Sequence, residues 1–121
     1  MASEREQIER RRRQLREQLR ALSTVRLMRG SLVERLRRCG RPNCACARDP
    51  GARHGGRFLT VQLDGRTHAV HVRPQDEDAV RAAVTAYRQL WKVINGLTSC
   101  ELAELRRQAR ERRRARQRKR G

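Results

Sequence analysis

The sequence predicts an α+β protein: an N-terminal helix, a small β-hairpin or three-stranded sheet stapled by a Cys/His cluster, and a long C-terminal helix with a basic tail. Three observations predict it. Ile8, Leu15, Leu19, Leu22 and Val25 recur at helical spacing. Asp64-Gly65 lies between two β-type runs, Phe58–Leu63 (FLTVQL) and Thr67–Val72 (THAVHV). Val80, Val84, Tyr87, Trp91 and Ile94 then follow at four-three-four-three. These patterns divide the chain into an amphipathic basic helix (1–29), a Cys/His-rich β module (30–73), an amphipathic helix (74–105) and an Arg-rich tail (106–121).

The first helix opens on Ser3-x-x-Glu6, a capping box in which the serine side chain satisfies an orphan backbone N–H. Its apolar stripe is narrow, so it needs a packing partner, and a short coiled coil is one way to supply it. Gly30 is the expected stop. In the middle region, a two-residue Asp64-Gly65 loop makes paired positions sum to 129, so Leu59 faces Val70, Val61 faces His68 and Arg57 faces Val72. Leu59, Val61, Leu63, Val70 and Val72 then share one face, so register and hydrophobic pattern agree. A lone hairpin is marginal in water. Ser31–Arg38 (SLVERLRR) is therefore read as a third strand, although Leu32, Val33 and Leu36 by themselves fit a short helix slightly better. Pro74 and Asp76-Glu77-Asp78 place negative charge at the start of the last helix, where the helix dipole favours it. Tyr87 and Trp91 are expected in its core stripe, Gly96 to kink or end it, and Leu102 and Leu105 to restart it.

The formal net charge is +18, with 31 basic and 13 acidic residues among 121. Such a field draws polyanions, of which nucleic acid is the commonest. Residues 106–120 carry ten basic side chains and one acidic, +9, with nothing apolar larger than alanine, which suits a disordered tail or a solvated helical extension. No apolar run approaches the ~20 residues of a membrane helix. The opening MASEREQIERRRRQ lacks the apolar core of a secretory leader. A cytoplasmic, membrane-free protein is expected, and its thiols would stay reduced.

In that setting clustered cysteines point to metal or redox chemistry. The cluster reads Cys39-x4-Cys44-x-Cys46-x7-His54, among glycines 40, 51, 55 and 56 and prolines 42 and 50 that supply turns. Zinc takes four N or S ligands in a tetrahedron, and three cysteines with one histidine is an accepted set. A redox C-x-x-C is absent. Structural zinc is thus the expected cofactor, held by Cys39, Cys44, Cys46 and His54; Cys100, His68 and His71 stay open as alternatives for the fourth position.

A resemblance rests on the same stretch. Met28–Arg35 (MRGSLVER), Arg38–Ala47 (RCGRPNCACA), His54-Gly55 and the later Tyr87-Arg88 resemble a small prokaryotic family labelled as domain of unknown function 6788, with the motif RGSLVER…RCGxPNCxCA…HG. The resemblance covers about residues 28–95. It implies that Cys39, Cys44, Cys46 and His54 are signature positions, and that relatives are often encoded near mobile elements. The Pro-Tyr-Tyr-Tyr of the family reads Gly56-Arg57-Phe58-Leu59 here.

Two functions fit. One is a small zinc-binding accessory protein that binds DNA or RNA with low sequence specificity. Its contacts would be arginine to phosphate, from Arg10, Arg11, Arg12 and Arg13, the loop residues Arg41, Arg48, Arg53 and Arg57, and the tail residues Arg112, Arg113, Arg114, Arg116, Arg118, Lys119 and Arg120. The other is a helical adaptor that binds a protein partner or forms a homo-oligomer. No helix-turn-helix, C2H2 finger or RNA-recognition signature is present. Catalysis is not expected, because the three clustered cysteines would be consumed as structural ligands.

Overall fold

The computed structural model describes residues 1–121. Its elements are α1 (Glu4–Leu22), β1 (Ser31–Arg37), β2 (His54–Leu63), β3 (Arg66–Val72) and α2 (Glu77–Arg120). They form two compact units, Met1–Val25 with Arg88–Gly121, and Arg26–Tyr87.

In the second unit the three strands make an antiparallel sheet in the order β1-β2-β3. Leu59 pairs with Val70, Val61 with His68 and Arg57 with Val72, the register that the Asp-Gly turn predicts. Asp64 and Gly65 both take positive φ, 53° and 75°, which Gly and Asp tolerate best. β1 is the neighbour that the hairpin requires, with Leu32 opposite Leu59. Here cross-strand pairing decides what the local pattern leaves open. One sheet face packs Leu59, Val61, Val72 and Leu32 against Met28 and against Val80 and Val84 of α2. Leu63 and Val70 share that face but stay 50% and 58% exposed, so the cover reaches only part of the expected core. Gly30 sits just before β1. A Cβ there would lie 2.9 Å from both the Thr60 carbonyl oxygen and a Val61 methyl, so close backbone approach, not helix termination, explains this glycine. Arg57 pairs with Glu77 at 3.3 Å, tying the sheet to the first turn of α2.

A charge buried on the packed face should be costly. Val61→Asp is expected to destabilise this unit by about 1–3 kcal/mol, because it replaces a partly buried apolar side chain packed on the Leu59, Val72 and Val84 cluster with a charged one. Gln62→Asp, exposed on the other face, should be nearly neutral. Denaturant melts followed by tertiary-structure signals would compare the two, and the reverse order of sensitivities would contradict this register.

In the first unit, α1 begins where expected: the Ser3 hydroxyl accepts from the Glu6 N–H at 3.1 Å. It ends earlier than expected, at Leu22 and not near Gly30. The Ser23 and Thr24 hydroxyls donate back to the Arg20 and Ala21 carbonyl oxygens, which terminates the turn. Val25 is consequently exposed. Ile8 and Leu15 are buried with Val93 and Cys100, flanked by Leu19, Leu22, Leu97 and Ala103. This differs from the sequence reading of α2. Within this unit α2 buries Val93 and Cys100, while Trp91, Ile94, Leu102 and Leu105 of the expected stripe are exposed. Gly96 neither kinks nor ends α2. A Cβ at Gly96 would sit 3.0 Å from both Leu15 methyls, so the glycine is a notch that seats Leu15. Leu15→Ala should cost about 2–5 kcal/mol, the usual range for emptying a buried leucine site. Thermal melts would check it, with no change expected in the sheet unit.

The basic segment is helical to Arg120. Its first turns have a structural role that was not expected. Arg107 pairs with Glu104 at 2.7 Å and Glu111 at 3.0 Å, and Arg110 pairs with Glu4 of α1.

Candidate metal centre

The chain leaves β1 at Arg37, makes a loop of 16 residues, and returns at His54, which pairs with Arg37. Closing so long a loop costs conformational entropy that few apolar contacts are present to offset. Gly40, at φ 86°, allows the first reversal. The Cys44 N–H donates to the Arg41 carbonyl, and a 3-10 turn follows over Ala45–Ala47. A second covers Pro50–Ala52, where the Asp49 carboxylate accepts from the Gly51 N–H at 2.9 Å. These turns fold the cysteines back towards the start of β2, where His54 lies.

The result is a cluster. One ligand atom each from Cys39, Cys44, Cys46 and His54 lies within 4.8 Å of all the others. The Cys39 and Cys46 sulfurs are 3.5 Å apart, and Cys44 Sγ is 3.3 Å from His54 Nε2. A tetrahedral zinc site with Zn–S bonds of about 2.3 Å has S···S edges of about 3.8 Å, so this spacing fits a zinc-sized ion. Cys46 is buried and Cys39 and His54 are exposed. Cys39, Arg41, Asn43, Cys44 and His54 line a shallow open cleft over the site.

The thiols differ in acidity. The Cys46 backbone N–H, then His54 and the other two thiols, pull Cys44 down to about 6. At Cys46 the backbone hydrogen bond from Cys39 lowers the pKa, but burial and the neighbouring thiols outweigh it and push the thiol up. The cluster thus yields one thiolate readily and resists the next, because like charges crowd one site. A divalent cation would remove that resistance, and metal binding would release the protons. With four protein donors around the ion, no position would be left open for catalysis.

The alternative fourth ligands lie elsewhere. Cys100 is packed with Ile8, Leu15 and Val93, His68 pairs across the sheet with Val61, and His71 packs edge-on against Phe58.

The arginines named from sequence are spread over both units. Arg10, Arg11 and Arg13 are exposed on α1, Arg41 and Arg48 on the loop, and Arg112, Arg113, Arg114, Arg116, Arg118, Lys119 and Arg120 on α2. Arg12 is not an open cation: it pairs with Glu9 and, at 2.9 Å, with Glu101, and its side chain is 13% exposed. Arg57 is engaged by Glu77, and Arg53 buries its Nε without a partner. Sequence reasoning missed Arg35 and Arg37. Their guanidinium carbons lie 5.8 and 5.0 Å from the centroid of the Phe58 ring. Their i, i+2 spacing in a strand was the available signal.

No helix is long and apolar enough to cross a membrane. A family model described as Domain of unknown function (DUF6788) matches residues 5–82. No curated protein and no solved structure matches the chain.

Proposed function

From the premise that this chain belongs to the DUF6788 family, we propose that it is a small zinc-stapled, non-catalytic accessory protein that binds nucleic acid through arginine–phosphate contacts. The observation that carries the zinc reading is the convergence of three cysteines and one histidine within 4.8 Å in a loop with little core of its own. The nucleic-acid reading is supported by the net charge of +18 and by exposed arginines on α1, the loop and the end of α2. Phosphate contacts carry little sequence information, so low specificity on DNA or RNA follows. An association with mobile elements rests on the resemblance of the motif.

Two measurements on chelator-free protein test this. Elemental analysis should find one zinc per chain, and its absence from a folded protein would remove the metal. Binding to two unrelated oligonucleotides should be similar and should weaken steeply with salt.

A second reading, a helical adaptor for a protein partner or a second copy, is favoured by one observation: Trp91, Ile94, Leu102 and Leu105 are exposed on α2. A charged residue at Leu102 would abolish partner capture and leave oligonucleotide binding unchanged if that reading holds.

A further inference from the structure

Strand pairing sorts the sheet residues into two faces with different chemistry. One carries the apolar cluster described above. The other carries Val33, Arg35 and Arg37 from β1, Phe58, Thr60 and Gln62 from β2, and Thr67, Ala69 and His71 from β3, with Ser31, Gly56 and the cluster residue His54, which pairs with Arg37. It holds no carboxylate, since Glu34 pairs with Arg57 on the opposite face. It is also open: Arg35, Arg37, Gln62, Thr67 and His71 are exposed.

At its centre Phe58 is 7% exposed, and what covers it is charged. Arg35 and Arg37 lie over the ring at 5.8 and 5.0 Å, and His71 meets its edge at 5.3 Å and 70°. Gly56 lies beside both rings, since a Cβ there would be in ordinary contact distance of Phe58 and His71. Neither arginine pairs with a carboxylate. The ring therefore fixes two guanidinium groups without neutralising them, a cation–π arrangement that leaves their N–H donors free for an anion. Their Cα atoms, two residues apart along a strand, are roughly 6.6 Å apart. Beyond Arg37 the chain runs directly into the loop that carries exposed Arg38 and Arg41.

We propose that this sheet face is a docking surface for a single-stranded nucleic acid, with Arg35 and Arg37 holding successive phosphates along β1 and the adjoining bases lying towards His71, which pairs with Phe58 next to the rung of Arg35 and Gly56. The inference rests on the nucleic-acid reading above and names its site. Charge complementarity selects a polyanion. A single strand is favoured because it can spread its bases over an open sheet whose polar side chains reach base edges. Phe58 itself is a positioning residue: it lies beneath the arginines and stacks on them, not on a base.

The test uses the full chain and an unstructured oligothymidylate. Arg35→Gln with Arg37→Gln should weaken binding about tenfold and reduce the slope of log affinity against log salt by about 1.4, two contacts at about 0.7 each for single strands. Arg35→Lys with Arg37→Lys should restore most of the slope. Amide shift mapping on the wild-type protein removes any dependence on variant folding: perturbations should fall on β1, on Phe58 and on β3 near His71. Shifts confined to α1 and residues 106–120, or an unchanged slope in the glutamine variant while tail truncation still weakens binding, would overturn the sheet site and leave nucleic-acid binding standing. Competition by polyglutamate as strong as by oligothymidylate would overturn it in favour of an acidic protein. Absence of any oligonucleotide binding at low salt would remove both readings together.

Discussion

Cys46→Ser is expected to abolish zinc binding and unfold the sheet unit. Metal binding contributes on the order of 10 kcal/mol to folding in small zinc modules. The sheet unit has little to set against that loss, since its cluster buries only Leu59, Val72 and Val84. Cys46 is the most sensitive ligand because it is 1% exposed, and a serine hydroxyl there would be buried and a poor zinc ligand. Cys39→Ser and Cys44→Ser should follow it. His54→Ala should act more mildly, because three thiolates remain and water can enter through the exposed side of the site. Chelation of the wild-type protein should reproduce the Cys46 result. Amide exchange with elemental analysis would read it: residues 31–73 lose protection while Ile8, Leu15 and Val93, whose cluster contains no sheet residue, keep theirs. Cys100→Ala should leave metal content unchanged. Loss of zinc from that variant, with zinc retained after Cys46→Ser, would show the ligand set to be wrong.

Truncation after Glu111 is expected to give the largest loss of nucleic-acid affinity with the fold intact. Residues 112–120 carry seven basic side chains and no acidic one, so the formal charge falls from +18 to +11. All are exposed and none belongs to an apolar cluster. The cut must spare Arg107 and Arg110, because Arg107 pairs with Glu104 and Glu111 along α2 and Arg110 pairs with Glu4 of α1. Those pairs are also visible in acidity: Glu104 holds the Arg107 guanidinium well above its ordinary value. For every phosphate that the shortened chain no longer neutralises, the dependence of log affinity on log salt should flatten by roughly 0.7 to 0.9. The weakening should be similar on unrelated sequences. A salt titration of the full-length and shortened proteins on two oligonucleotides checks this, with circular dichroism confirming the fold. Identical slopes would exclude residues 112–120 from the binding footprint.

Short-range chemistry was legible in the amino-acid order alone. Asp64-Gly65 fixed the loop, and period-two alternation fixed the register, because a one-residue slip would turn Leu59 and Val61 outward. Ser3-x-x-Glu6 fixed the start of α1. The ligand spacing, with glycines and prolines between, marked Cys39, Cys44, Cys46 and His54 as one group. Long-range packing decided wherever two local readings were nearly equal. Ser31–Arg37 is a strand because β2 offers it an edge, although Leu32, Val33 and Leu36 suit a helix too. Gly96 stays helical because Leu15 fills the space it leaves, a contact between residues far apart in the chain. The buried side of α2 was not legible for the same reason: its stripe names apolar positions, but α1 selects Val93 and Cys100 and leaves Trp91 exposed. The Arg35–Arg37–Phe58 group was only half legible: the i, i+2 spacing of the arginines is in the sequence, but only the β1–β2 register places both cations over a ring from the other strand.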